Sequence, residues 1–405
     1  MRSSALGVRF SDQYRTVAES RILDTLLLGG WAYEQDKPEA ITATRQALDR
    51  WIDMGLGVRL GPTGERLFDP VEVLNVLKKL GLEGRDHFWA DRYVGTGRRL
   101  VTDLMANTKQ GFRVDFRRTF NLGANLIGKG LRLRAPLPLR SVYGESLEVE
   151  AFVDGSPEAQ LRVSDGRLEA RLTALTEGTV TLGAKLAFSS AATSPPAVVP
   201  PFSPYLKSHE GLVCVSDQVN ALAHSLAGPS ADRNSVVRAV WNYMMDELIC
   251  GAVHYDQIPA EGPCDWILQT GWYDCQIGSA LFVALCRARG IPARVIGGHV
   301  LYRRAPTNHY WAEVWLEEKG WTPFDFLSWD LSLGGRDLQW RDHFYGRIDD
   351  RMVTQVLPFE FTGALGVALP NVWHILQTVK GSGVEISMVA VNTEPLYSDV
   401  VSISD

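Results

Sequence analysis

Between residues 276 and 289 the apolar side chains Ile277, Ala280, Leu281, Ala284, Leu285 and Ala288 recur three and four positions apart, the spacing of a buried helix. The pattern predicts a helix starting at or just after Cys275, with Asp274 placed to cap it and Gly290 and Pro292 to stop it. Downstream the rhythm shortens: 293–302 reads as a strand, and 309–316, a turn over 317–320 and 321–325 read as a hairpin. Upstream, 213–226 and 234–249 read as amphipathic helices.

Earlier in the chain the pattern falls into two blocks. From 11 to about 105 it is mainly helical, with 17–28, 40–54 and 71–80 as helices, Asp69-Pro70 as a helix start and a short hairpin around VRLGPTGERLF. Nothing there carries catalytic chemistry, and a packing role is the simpler reading over a docking or lid element. From about 111 to 192 the period becomes two, in LRLRAPLPL, SLEVEAFV, AQLRVSDGRLEARL and GTVTLGAKLAF, which predicts an antiparallel β-sandwich. The proline-rich run at 189–204 predicts a linker. Three units follow: a helical region over 1–105, a sandwich over 106–195, and an α+β unit over 196–405 holding the helix and hairpin. Its tail, 355–400, contains strand-like runs such as VEISMVAV that could complete a sheet or cover a cleft.

Composition narrows the function. The 405 residues are 45% hydrophobic, enough for several cores, and the net charge of −6 disfavours nucleic acid as the main partner, which needs a concentrated basic face. The basic run at 113–118 (RVDFRR) reads as a solvated strand face. MRSSALGVRFSDQY lacks the apolar core of a signal peptide, and no run of about 18 apolar residues occurs, so a cytoplasmic protein with no membrane partner is expected. Five widely spaced cysteines (Cys214, Cys250, Cys264, Cys275, Cys286) read as reduced thiols, and without CxxC or HxxxH pairs no structural zinc is expected; the thiol chemistry read below requires no metal or organic cofactor.

Cys275 stands where the helix dipole favours thiolate over thiol, which predicts a pKa below the free value of about 8.5. His309 opens one strand of the hairpin and Asp325 closes the other, so both fall at the same end of it. A thiol, an imidazole to carry its proton and a carboxylate to orient the imidazole make the sulfur version of an acyl-transfer triad.

The run Cys275, buried helix, LCRARGIPARV, HYWAEVW, GWTPFD resembles the core of the transglutaminase-like superfamily, bacterial branch, most strongly over 236–330. The resemblance implies a papain/transglutaminase-like α+β fold, with Cys275 as nucleophile, His309 as general base and acid, and Asp325 as orienting carboxylate. It also implies a β-sandwich ahead of the thiol unit. Tyr310 stands where many members have a small residue. The paired CxxC of the peptide glycanases and the dense acidic loop of calcium-dependent crosslinkers are both missing. What the resemblance leaves is a peptidase or amidase, or an acyltransferase that forms amides from carrier-bound thioesters. The substrate would be a peptide, an amide or an acyl thioester, and a noncatalytic binding module is the rival from another class.

Other residues near the motif have assigned expectations. The backbone N–H of Cys275 is the first oxyanion donor. Gln269, six residues upstream, has a spacing that looks like the oxyanion glutamine of papain-like thiol enzymes, with the Trp266 indole as a lesser candidate. His299 is the rival base, read as structural, and His254 precedes a loop toward the site. Cys286 reads as core, and Cys264 as structural or as a second exposed thiol. Trp266, Trp272, Trp311, Trp315 and Trp321 read as core or hairpin pairs. Glu313 and Trp315 share strand parity with His309 and so could border the site.

Overall fold

The chain was analysed as a computed structural model that describes residues 2–3, 9–10, 16–31, 37–86, 99, 112–138, 145–164, 166–189, 202–208, 212–254, 257–259, 262–301, 307–326, 338–347, 351–357, 360–361, 373–380, 383–390 and 397–404. Most of the predicted linker, 190–201, lies outside these, as do 87–98 and most of the stretch after Phe326.

The predicted helix is present as Cys275–Ala288 and lies against a five-stranded antiparallel sheet. The strand order is Gly320–Phe324, Thr307–Leu316, Ala293–Val300, Arg351–Val356 and Glu360–Phe361. Every residue of the helix from Gln276 to Arg287 is buried, which is why its apolar pattern runs nearly all the way round. One side packs on Val295, Ala312, Val314 and Phe324 of the sheet, and the other on Val237, Trp241 and Met245 of the helix Arg233–Glu247. Full burial of a side chain such as Phe282 stabilises by about 1.5–3 kcal/mol. Arg287 is tolerated inside because its Nε and Nη2 both donate to the Ala293 carbonyl, at 2.9 and 2.7 Å.

The period-two block forms strands in two sheets that share one apolar core. A three-stranded sheet (Leu131–Pro136, Arg167–Leu172, Gln160–Ser164) contributes Leu133, Ala135, Leu168 and Ala170. The other sheet has six strands, in the order Trp373–Lys380, Gly383–Ala390, Tyr397–Ser404, Phe112–Asn121, Thr179–Ser189 and Glu145–Asp154. It contributes Val114, Phe116, Leu182, Ala184 and Val401. The tail therefore completes a sheet: Tyr397–Ser404 pairs antiparallel with Phe112–Asn121 along eight residues, and Asp399 lies opposite Arg118. Those two meet in a buried two-pronged ion pair, Arg118 Nε and Nη2 each 2.7 Å from the Asp399 carboxylate. Leu301 and Met352 of the site-bearing unit join the same core, so the two units touch through apolar contact.

Toward the N-terminus are the helices Glu19–Trp31, Pro38–Asp53 and Pro70–Leu82, with a small three-stranded sheet of Val17–Ala18, Arg66–Phe68 and Arg59–Leu60. The first helix starts two residues later than its periodicity predicts, because Val17 and Ala18 pair with Phe68 and Leu67 instead. Asp69 caps the third, accepting from the Val71 and Glu72 amides at 2.9 and 3.3 Å.

Candidate active site

Cys275 is the first residue of its helix, and its position is set locally. The Asp274 backbone is extended and its carboxylate accepts from the Gln276 and Ile277 amides, both at 3.0 Å, so the helix cannot fray past the cysteine without losing both bonds. On the sheet, Ala312 pairs with Phe324, which puts the next residue, Asp325, opposite Trp311 and on the face that carries His309 two positions away. His309 Nε2 lies 2.8 Å from Asp325 Oδ1, with both side chains buried. A carboxylate can only accept, so Nε2 carries the proton and Nδ1 is left as the basic nitrogen.

Arg351, which lies in no motif of the chain, completes the group. Its Nη2 is 2.5 Å from Asp325 Oδ2, and its guanidinium lies over the Trp311 ring, 5.6 Å from the centroid. The His309 ring stacks on the same indole at 6.4 Å. Arg351 is 2% exposed, so Asp325 faces an imidazole on one oxygen and a buried cation on the other.

The sulfur departs from expectation. Cys275 is half-buried, and the backbone N–H groups of Tyr310 and Gln276 favour its thiolate. Burial and the adjacent Asp274 carboxylate, with Asp325 behind, outweigh them and push the thiol well above its ordinary value. The lowered pKa expected from the helix dipole is therefore corrected: burial of the sulfur, with the capping carboxylate as a negative charge beside it, outweighs the dipole. Among the described residues Asp325 is the imidazole's hydrogen-bond partner, and the sulfur meets the strand at the backbone of Tyr310 rather than in a hydrogen bond to His309. The Tyr310 ring fits because its cross-strand partner is Gly297, where a Cβ would come within 2.9 Å of the ring.

The remaining candidates separate clearly. Gln269 is exposed in the last turn of the helix Pro263–Thr270, and Trp266, half-buried in the same helix, packs on the core. Cys264 is fully buried and pushed up to about 12 by that burial, so it is not an exposed thiol; Cys286 is equally buried. His299 is buried against Phe116 and pushed down to about 4 by burial, which keeps it neutral. His254 Nε2 lies 3.1 Å from Asp69. Glu313 pairs with Arg294 at 2.6 Å, and Trp315 packs edge-to-face with Trp321 and Phe202, so these two hold an ion pair and a ring cluster. A cleft of about 1220 Å³ is lined by Arg238, Arg289 and Lys319 and lies at the C-terminal end of the cysteine helix. That helix has 14 residues, so the cleft is about 20 Å from the sulfur and has no part in this chemistry.

The sequence profile of the transglutaminase-like superfamily matches residues 220–326, a span that holds Cys275, His309 and Asp325. This stretch is similar to transglutaminase-like domains. Among solved structures, a candidate cysteine protease from Cytophaga hutchinsonii is similar at 16% identity and a TM-score of 0.43, over 73% of this chain and 98% of its own. The periplasmic domain of TgpA from Pseudomonas aeruginosa is similar at 17% identity and a TM-score of 0.33, over 60% of this chain and 96% of its own. No curated protein matches the chain. No helix among the described residues is long and apolar enough to cross a membrane.

Proposed function

We propose that the chain is a cysteine-dependent acyl-transfer enzyme. The observation that carries this is the buried His309–Asp325 hydrogen bond on the strand against which the Cys275 helix packs. Cys275 Sγ attacks the carbonyl of an amide or thioester. Its proton passes to Nδ1 of His309, the nitrogen that Asp325 leaves free. Because burial and Asp274 keep the resting sulfur protonated, the transfer accompanies attack when substrate closes the gap between sulfur and imidazole. The tetrahedral oxyanion takes the Cys275 backbone N–H as a donor. His309 then protonates the leaving amine or thiol, leaving a thioester on Cys275. An amine or water attacks that thioester, gives its proton to His309, and releases amide or acid as the thiolate departs and is reprotonated. Asp325, pinned by Arg351, keeps the imidazole in the required tautomer throughout.

Amide formation from a carrier-bound thioester is the finer reading, with peptide or amide cleavage as the alternative outcome of the same intermediate. The test is to incubate the protein with acyl thioesters and with peptides, with and without an amine, and read intact mass and peptide maps. Acylation of Cys275 that Cys275→Ser abolishes is expected, and amide product would select aminolysis over hydrolysis. Product formation that survives Cys275→Ser, or no Cys275 adduct with either donor class, would overturn the proposal.

A further inference from the structure

The strand that pairs with the segment leading into Cys275 is gripped by one N-terminal helix, Pro70–Leu82. Ile249–Cys250 pairs in parallel with Trp272–Tyr273, the two residues just before the Asp274 cap, and the ladder continues as Ile249 N–H to the Gly271 carbonyl (2.8 Å) and Gly251 N–H to the Tyr273 carbonyl (2.7 Å). The outer side of this short ribbon is held by the helix Pro70–Leu82. Asn75 Nδ2 donates to the Ala252 carbonyl at 2.8 Å while Asn75 Oδ1 accepts from the Ala252 amide at 2.9 Å, so one side-chain amide imitates a neighbouring strand. Lys78 Nζ donates to the Cys250 carbonyl at 2.6 Å. At Gly251 the three parts meet closely: a Cβ there would come within 2.6 Å of the Trp272 ring and 2.8 Å of Asn75 Oδ1. The Asn75 and Lys78 contacts span more than 170 residues of sequence and end on the backbone of 250–252, whose strand partners at 271–273 lie just before the sulfur.

We propose that Asn75 and Lys78 are positioning residues for Cys275, and that the N-terminal helical unit is part of the enzyme's working site rather than a packing appendage. The route is short. Asn75 and Lys78 fix the backbone of 250–252, that backbone fixes Trp272 and Tyr273, and Tyr273 leads directly into the Asp274 cap and the first turn of the helix. Tyr273 is also wedged from the other side, buried against Gly278 with its hydroxyl donating to the Met244 carbonyl at 3.4 Å, so a shift in the ribbon reaches the helix start. A displacement of about 1 Å at a reacting group costs on the order of a hundredfold in rate.

The proposal rests on the reading of Cys275 as nucleophile, and its test separates the two. In the full-length protein, Asn75→Ala and Lys78→Met are compared with wild type and with Lys79→Ala, a change in the same helix that removes only an i,i+4 contact to Glu83 at 3.9 Å. Melting temperature, Cys275 alkylation by iodoacetamide across pH, and kcat and KM for acyl transfer are measured. Asn75→Ala is expected to lower kcat by about tenfold or more with KM within about twofold, and to change the Cys275 alkylation rate by a similar factor. Lys79→Ala should change neither. If Asn75→Ala does not fold, Lys78→Met is read in its place. Alkylation and kcat within twofold of wild type in the folded variants, or losses in Lys79→Ala equal to theirs, would overturn the proposal. If wild type shows no acyl transfer, the nucleophile reading fails, and the alkylation arm still decides whether these residues position the sulfur.

Discussion

Replacing Asp399 by Asn should destabilise the large sheet far more than a typical surface change. Both carboxylate oxygens of Asp399 are engaged by Arg118 at 2.7 Å, each side chain is 5% exposed, and the guanidinium also sits 3.9 Å from the Tyr397 ring centroid. Burial works against the charge on Arg118, and Asp399 more than offsets it, holding the guanidinium above its ordinary value. Taking away only the carboxylate leaves a cation in a site that cannot hydrate it, a loss of about 3–5 kcal/mol. The same principle makes the double change Arg118→Met with Asp399→Leu nearly neutral, because apolar side chains of similar volume replace the pair. Amide exchange of peptides covering 112–121 and 397–404 reads this directly. With about 1.4 kcal/mol per tenfold, Asp399→Asn should speed exchange there by about a hundredfold to a thousandfold, and the double variant by less than tenfold. Acceleration below tenfold in Asp399→Asn, or an equal loss in the double variant, would refute the argument that the charge needs its partner.

Two further changes probe charge near the site and near the helix that grips it. Asp274→Asn keeps a residue that caps helices well but removes the negative charge beside the sulfur, so the pH profile of Cys275 alkylation should move lower; an unmoved profile would contradict the contribution assigned to that charge. Glu72 is buried, and that burial, with repulsion from Asp69, raises its carboxyl to about 7. A raised carboxyl stabilises the fold while protonated, and that contribution fades as pH climbs from the usual range through 7. Glu72→Gln should thus match wild type near pH 4.5 and exceed it by about 2–3 kcal/mol at pH 8 in urea titrations, and equal stabilities at pH 8 would show that the charge is not being held against its preference.

What could be read in the chain beforehand was what is local. The cysteine helix carries its own apolar pattern, cap and stop within 19 residues, 274–292, and the hairpin closes over a short turn, so their register and the His309–Asp325 pairing follow from nearby residues. Arg351 was invisible because its partner is 26 positions back and the residues between them carry no periodicity. The thiol's environment was misjudged because a dipole can be inferred from position, whereas desolvation depends on what packs over the sulfur. Asn75 and Lys78 lie in an ordinary amphipathic helix, and nothing in that helix announces that their partners are backbone groups at 250–252.

The pairing of Tyr397–Ser404 with Phe112–Asn121 has a kinetic consequence. Arg118 and Asp399 meet across a separation of 281 positions, which holds the other strands of both sheets and the whole span that carries Cys275, His309 and Asp325. Closing so long a loop costs entropy that only prior collapse of the intervening part can reduce. During synthesis the edge at Phe112–Asn121 must wait, unpaired and open to association with other chains, until the ribosome has delivered its partner.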